Sequence, residues 1–596
     1  MRGLTHRWRW RREPPPSREG ALVERVLAAR GLSNPDEVRA FREPTLRALH
    51  APGLMPNIDA AAERILDAAQ RGRTIILYGD YDVDGVTGVA ILYHTIKAIE
   101  PGARIGTFVP HRLEDGYGLN PDALRELHAG GAELVVSVDC GITGAEEARI
   151  ARSIGLELII TDHHNVPTGD GALPEAICVH PRLPGSEYPF GDLCGAGVAF
   201  KLAWRLATRW AGSDKVGKQL QKVLLDLLPL AALGTIADVM PLVGENRVIA
   251  SLGLRTIRAT PFAGLKALID AAGLADAKID CEKVGFVLGP TLNAVGRLGH
   301  ARDAMRLMTD APPEEAIGLA RRLAELNRQR QQTERTIVAQ AADMAAHAGM
   351  TGTDRRAIVL AHDAWHPGVV GIVCSRLVDK HRRPVVLMNR QGGVCKGSAR
   401  SIDGYSIAAG FAACADLLTK HGGHDMAAGL TMPDVNLDAF TERLTAHANE
   451  HIPIEWLTPS LEVDCEATLA DLSAQAVMDL RSLSPFGRGN PRPVVFVRGA
   501  VLTTPPRTIG KDGGHLDLRL VQDVDGRRCF IRAVWWRAGS LAAQLQQNQR
   551  VDVAIEPKIN EFNGRTSVEA EIRDIRIAAP TRATDRVRSI EAYNHG

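Results

Sequence analysis

Thr74-Ile-Ile-Leu-Tyr-Gly-Asp-Tyr-Asp-Val-Asp-Gly85 is the stretch on which the fold turns. An apolar run, Thr74–Tyr78, breaks into Asp80, Asp82 and Asp84, and Gly85 then lets the chain turn into an amphipathic segment, Val86–Ile99. The same grammar recurs downstream. Leu134–Val138 runs into Asp139, and Leu156–Ile160 runs into Asp162-His163-His164. An Ala/Leu-rich helical stretch, Leu224–Ile236, ends at Asp238. Continuous apolar strands separated by helical segments predict a parallel, doubly wound α/β sheet covered on both faces. In such sheets ligands bind beyond the carboxyl ends of the strands, which would bring these acids and imidazoles into one crevice.

Acids gathered this densely repel one another and are costly to desolvate, so cations must neutralise them. Oxygen-rich ligands with one or two imidazoles suit Mn²⁺ or Mg²⁺. In Asp80-x-Asp82-x-Asp84-Gly85, alternate side chains of an extended loop face one side. The pattern resembles a calcium loop, but an EF-hand needs a Glu where Ile91 stands and a helix where a strand precedes, so calcium buffering is excluded. What remains is a two-metal hydrolase of phosphate esters, two ions per site, with Asp139 as the bridging candidate, His163 as a ligand and His164 on the scissile phosphate or orienting the ligands.

At 596 residues the chain is too long for one core. A net charge of +1 confines any polyanion surface to a local patch. Nine cysteines without a CxxC pair read as reduced cytosolic thiols, and no uninterrupted apolar run approaches 18 residues, so no membrane segment is expected. Residues 1–50 form an N-terminal extension, expected to be partly disordered because Pro14-Pro-Pro16 follows an arginine-rich start. The catalytic domain is placed at 51–305, and a connecting helix at 306–350 is centred on Pro313–His347. A second, smaller α/β domain with glycine-rich loops follows at 351–455. Alternating strands with an Asn563-Gly564 hairpin signal predict an oligonucleotide-binding-type barrel at 456–580, before a tail at 581–596. In the barrel, Phe530, Trp535, Trp536 and Phe562 could stack bases while Arg519, Arg528, Arg532 and Lys558 track the backbone, about half of the aromatics being core. Arg321, Arg322, Arg328 and Arg330 on the connecting helix are candidates for a strand-guiding groove, solvated surface being as good a reading for the first two. Gly195-Ala-Gly197 lacks a third glycine and reads as a packing feature rather than a dinucleotide loop.

Taken in order, Asp162-His163-His164, Val109–Leu119, Gly289–Leu298, Leu326–Glu334, His366–Gly371, Gly397–Ser401, Gly422–Gly429 and Pro485–Pro491 resemble the DHH phosphoesterase superfamily, and within it the single-strand-specific 5′→3′ exonucleases of bacteria. The resemblance spans roughly residues 50 to 580. It implies Asp82, Asp84, Asp139, His163 and Asp238 as metal ligands. Small superfamily members carry a His where Tyr78 stands here, which makes Asp80 the substitute ligand. Arg112, Ser398 and Arg400 resemble the family's 5′-phosphate pocket, and guanidinium forks suit such an end. Members often carry Arg where this chain has Thr291, so one charge is missing there and Arg297 is the candidate replacement. Asn293 lies in the same segment, and His424 falls in the DHHA1-type second domain as a further substrate contact.

The resemblance thus implies a single-stranded-DNA-specific 5′→3′ exonuclease that releases 5′-mononucleotides in recombination and repair. Single-stranded DNA, single-strand-binding protein and a RecQ-type helicase are the implied partners, with a cytoplasmic, monomeric enzyme expected. A DHH-type phosphodiesterase for short oligonucleotides or cyclic dinucleotides would share the metal site but not need the barrel. A scaffold of the replicative-helicase-factor type would show eroded ligands, whereas every one is present here. A pure strand-binding module would not need the acids at all.

Overall fold

The computed structural model describes residues 1–15, 17–112, 116–169, 171–562 and 565–578, with the side chains of Phe562 and Arg565 excepted. The Asn563-Gly564 hairpin signal, the Phe562 ring and the 581–596 tail therefore lie outside the described residues. The chain divides into two compact units. One joins Met1–Glu43, Pro453–Ser484 and Arg492–Gly596, and the other joins Pro44–Ile452 with Pro485–Pro491.

The larger unit opens on a five-stranded, wholly parallel sheet of β1 (Ile75–Gly79), β2 (Ile105–Phe108), β3 (Leu134–Val138), β4 (Glu157–Thr161) and β5 (Ile177–Val179). Their spatial order is β2-β1-β3-β4-β5. The order reverses between β1 and β3, and a crevice opens at such a switch point. Side chains alternate between two cores, as a pleat requires. Ile75, Leu77, Leu134, Val136 and Ile159 face one core with Val86, Ala90, Leu202 and Leu230 from the helices Val83–Ile99, Gly195–Ala211 and Lys218–Ala237. Tyr78, Val135, Leu158 and Ile160 face the other, with Leu124, Ala148 and Ala151 from Pro121–Ala129 and Ala145–Ser153. The doubly wound sheet expected from the apolar runs is thus observed. Lys218–Ala237 is long and apolar enough to cross a membrane, but 56% of its most apolar window is buried in this core, and its last turn delivers Asp238.

A 35-residue helix, Pro313–His347, leads into a five-stranded mixed sheet. Ile358–His362 pairs parallel with Val385–Gln391, and Val394–Arg400, Ala427–Pro433 and Lys420–His424 follow antiparallel. The glycine-rich segments expected as loops are therefore strands, because backbone pairing satisfies residues that offer little side chain to pack.

In the other unit, Val495–Leu502, Arg550–Phe562, Arg565–Ile577, Arg527–Trp535 and His515–Val524 pair in that order, and the last returns to the first, closing a five-stranded barrel. The N-terminal extension departs from expectation. Arg7–Trp10 is a strand pairing parallel with Ser460–Val463. Trp8 is buried and packs edge-on to Phe496, with centroids 5.8 Å apart. The Asp574 carboxylate accepts from Trp8 Nε1, the Thr5 hydroxyl and the Thr5 and His6 amides. Burying an indole and satisfying a buried carboxylate outweigh the entropy of ordering an arginine-rich segment.

Candidate active site

Strand register brings the acids together. Gly79 lies opposite Val138, and Val138 opposite Thr161, so Asp80, Asp139 and Asp162 leave the sheet side by side. The Asp80 amide donates to the Val138 carbonyl at 3.2 Å, and the Asp139 amide to the Thr161 carbonyl at 2.9 Å. Asp139 then adopts φ +66, a left-handed conformation that costs about 1 kcal/mol or more for a non-glycine residue and turns its carboxylate into the crevice.

Asp82 does double duty. It caps the Val83–Ile99 helix, its Oδ1 accepting from the Asp84 and Gly85 amides at 2.8 and 3.2 Å, which leaves its second oxygen for a ligand role. Asp84 is anchored from a distance: the Gly195 and Ala196 amides, opening the Gly195–Ala211 helix, donate to its oxygens at 2.6 and 2.8 Å. A Cβ on Gly195 would lie 2.5 Å from Asp139 Cβ and 2.7 Å from its Oδ1. Only glycine lets this helix approach both acids. The Gly195-Ala-Gly197 segment is thus a packing feature, but one that seats two ligand candidates.

The donor atoms converge. His163 Nε2 lies 3.1 Å from Asp139, 3.6 Å from Asp238 and 3.7 Å from Asp84. Asp84, His163 and Asp238 form one potential ligand group, and Asp80, Asp82 and Asp139 another, each with its donor atoms within 4.8 Å of one another. Asp80 Oδ1, Asp139 Oδ1 and His163 Nε2 are buried without a hydrogen-bond partner. Burial, then the neighbouring acids, pushes Asp80, Asp82 and Asp139 up and raises Asp238 to about 8, while burial holds His163 down at about 4. Buried acids at van der Waals range would otherwise have to stay protonated, and a neutral imidazole aimed at three carboxylates makes no ion pair. Divalent cations resolve both problems, so oxygen ligands with one imidazole fit Mn²⁺ or Mg²⁺ here.

His164 differs from its neighbour. Its Nδ1 lies 2.7 Å from Asp162 Oδ1 and 3.0 Å from the Tyr117 hydroxyl. The single Nδ1 proton goes to the nearer, anionic Asp162, and the Tyr117 hydroxyl is also 3.3 Å from the Asp139 carbonyl, to which it can donate. Burial opposes the charge on His164, but Asp162 and the other acids overcome it and raise the ring to about 9. Burial pushes Asp162 up, yet the His164 bond and charge, with the Ile142 and His164 amides, hold it at about 2. Asp162 and Tyr117 were absent from the sequence-derived site residues. Tyr117 lies 47 positions from His164, beyond what local spacing displays, whereas the Asp162–His164 contact spans only two positions and the Asp-His-His run itself carried the signal.

Cations gather beside this centre. The Arg112 guanidinium lies 4.7 Å from the Tyr81 ring centroid. Arg297 donates to the Gly368 carbonyl at 3.3 Å, and a Cβ at Gly371 on the same helix, Pro367–His381, would lie 3.4 Å from Ser398 Oγ and 3.5 Å from Arg400 Nη2. Burial, then the like charges of Arg112, Arg330 and Arg400, lowers Arg297 to about 9, so these guanidinium groups crowd one another as they would around an anion. Asn293 is half-buried one turn before Arg297. Thr291 is buried, accepting from Asn327 Nδ2 at 3.1 Å, and Asn327 Oδ1 accepts from Arg330 at 2.9 Å. Arg330 is therefore not on a solvent-facing groove as expected. Arg328 pairs with Glu325 and Arg322 with Asp303. His424 stands exposed at the end of the edge strand Lys420–His424, and among the described residues no hydrogen bond or ion pair links it to the arginines. Tyr78 is buried and donates to the Gly118 carbonyl at 3.0 Å, so its hydroxyl is engaged away from the acids, whereas Asp80 groups with Asp82 and Asp139.

On the barrel, Trp535 is core, whereas Phe530 and Trp536 are 67% and 51% exposed and available for stacking. Arg528, Arg532 and Lys558 are engaged by Asp523, by Asp517 with Glu569, and by Glu571, so of the four expected backbone-tracking cations only Arg519 has no acidic partner among the described residues.

Comparisons with known proteins agree with this architecture. Residues 74–235 match the DHH family N-terminal domain, 354–450 the DHHA1 domain and 463–574 the RecJ OB domain. The single-stranded-DNA-specific exonuclease RecJ of Bacillus subtilis is 37% identical over 94% of this chain and 68% of its own length. Its Escherichia coli counterpart is 32% identical over 94% and 96%. The crystal structure of RecJ in complex with Mn²⁺ from Thermus thermophilus superposes with a TM-score of 0.77 at 32% identity, covering 94% of this chain and 76% of that one. With its ligand candidates converged at the switch point and its three domains in family order, this chain belongs to the RecJ family of single-stranded-DNA-specific exonucleases.

Proposed function

We propose that this chain hydrolyses single-stranded DNA from the 5′ end, releasing 5′-mononucleotides with Mn²⁺ or Mg²⁺. The observation carrying this reading is that three buried donors without a hydrogen-bond partner, Asp80 Oδ1, Asp139 Oδ1 and His163 Nε2, fall in ligand groups that share Asp139, beside a crowd of arginines. Asp84, His163 and Asp238 would hold one ion, Asp80 and Asp82 the other, with Asp139 between them. Bound there, a divalent pair would activate water and offset charge developing on phosphate.

The remaining steps belong to the chain. Arg112, Arg297, Arg400 and Ser398 take the terminal 5′-phosphate, with Asn293 beside them and His424 as a contact for the strand. Anchoring the end sets polarity, because only the first linkage then reaches the acids. His164, held charged by Asp162, donates to a non-bridging oxygen of the scissile phosphate and stabilises it as charge builds. The barrel's exposed Phe530 and Trp536 stack bases of the strand. In the cell the enzyme acts as a cytoplasmic monomer in recombination and repair, alongside single-strand-binding protein and a RecQ-type helicase.

A time course on 5′- and 3′-labelled single strands with Mn²⁺, comparing wild type with Asp139→Ala, tests this. Mononucleotides released first from the 5′ end by wild type, with binding but no cleavage by the variant, are expected. A ladder shortening from the 3′ end, or full activity in Asp139→Ala, refutes it.

A further inference from the structure

The loop Pro485–Pro491 lies within the segment matched by the barrel's family model, yet it packs in the catalytic unit. Its seat is the chain just past Asp238. The Leu242 amide donates to the Arg488 carbonyl at 2.7 Å, and Asn490 Nδ2 closes the loop on the Pro485 carbonyl at 2.7 Å. Gly489 adopts φ +74, where a Cβ would lie 3.2 Å from Pro241 Cβ, so the loop is pressed onto that segment. The Arg488 backbone is thereby fixed beside Leu242, four residues beyond a ligand candidate, while its side chain is exposed.

An arginine therefore accompanies each of the two acid-bearing segments. Arg112 stands over the Tyr81 ring between Asp80 and Asp82, and Arg488 is carried on backbone bonded to Leu242, just past Asp238. On the 5′-end reading, a strand whose 5′-phosphate sits with Arg112 and whose first linkage lies over the acids can continue past Asp238 towards Arg488. An exposed guanidinium carried on backbone held there is suited to fork a phosphate. A solvated loop arginine, the bland alternative, would need no such clamping of its backbone against the ligand-bearing segment.

We infer that Arg488 grips the phosphate immediately 3′ of the scissile linkage, so that the strand is held on both sides of the metal centre. This rests on the 5′-end reading above. Cleavage of 5′-phosphorylated oligonucleotides carrying a neutral methylphosphonate at single linkages, by wild type and Arg488→Ala, tests it. On an all-phosphate strand the variant loses about ten-fold in kcat/KM, the worth of one charge-assisted contact. Neutralising the linkage 3′ of the scissile one costs wild type a similar factor and costs the variant little more. Arg488→Lys regains part of the loss, and the defect shrinks on a 5′-phosphorylated dinucleotide, which lacks that phosphate. An undiminished Arg488→Ala, a methylphosphonate penalty that multiplies with the mutation, or an equal defect on the dinucleotide overturns the inference. Wild-type digestion from the 3′ end would instead sink the 5′-end reading itself.

Discussion

His164 Nδ1 lies 2.7 Å from Asp162 Oδ1, and that contact separates two adjacent histidines into different chemical species. His163, buried among carboxylates, is neutral, and His164, paired with a carboxylate held at about 2, is charged up to about pH 9. Asp162→Asn removes the anion and lowers His164 towards its ordinary value. The alkaline limb of the kcat profile moves to lower pH, and kcat at pH 8 falls by about 10²-fold, the scale of one lost electrostatic contact in a transition state. Retained Mn²⁺ affinity in isothermal titration distinguishes this from a collapsed site, and an unmoved limb refutes it.

Gly195→Ala tests the approach of the Gly195–Ala211 helix. A methyl group 2.7 Å from Asp139 Oδ1 must displace that carboxylate or the amides bonded to Asp84. Mn²⁺ affinity drops at least ~10-fold, while the loss of fold stability stays near the ~1–3 kcal/mol typical of overpacking. Titration calorimetry with urea unfolding reads both.

The metal-free protein has an unusual pH response. Asp238 and His164 both have folded values above their ordinary ones, at about 8 and 9. Each contributes stability that is full below its unfolded value and lost as pH rises through the folded one. His163, held low, favours folding in the opposite sense only below about pH 6.5. Between pH 7 and 9 the chelated protein should therefore lose thermal stability, and saturating Mn²⁺ should restore most of it with release of protons. Scanning calorimetry showing a flat or rising metal-free trend in that window would contradict the assignment.

The N-terminal strand is a stability element. Trp8→Ala removes a buried indole and leaves an Asp574 oxygen short of a donor, which costs about 3–5 kcal/mol in the unit containing the barrel. Asp574→Ala orphans several donors at once and costs about 3 kcal/mol. Denaturant unfolding followed by tryptophan fluorescence measures both, and a change under about 0.5 kcal/mol would mean that this contact is ornamental.

Much of this was legible from local pattern. Apolar runs ending in Asp80, Asp139 and Asp162 declare a parallel sheet and the edge at which its ligands sit, because strand period and carboxyl-end position are local properties. The pairing of Asp84 with Gly195 was not legible, since the partners are 111 positions apart and the glycine's purpose shows only in the space denied to a Cβ. Nor was the Thr291–Asn327–Arg330 relay, which joins a helix end to the connecting helix. The strand at Arg7–Trp10 does carry a local signal: Arg-Trp-Arg-Trp alternates with period two, although the charge and the proline run after it have the composition of a solvated tail.

Anomalous diffraction at the manganese edge, from crystals soaked in Mn²⁺, bears most directly on the convergence of these acids and imidazoles. Two peaks about 3.5–4 Å apart are expected, one among Asp84, His163 and Asp238 and the other beside Asp80 and Asp82, with Asp139 touching both. No peak among these side chains, or a lone ion that Asp139 does not reach, would contradict the two-metal site and the hydrolysis built on it.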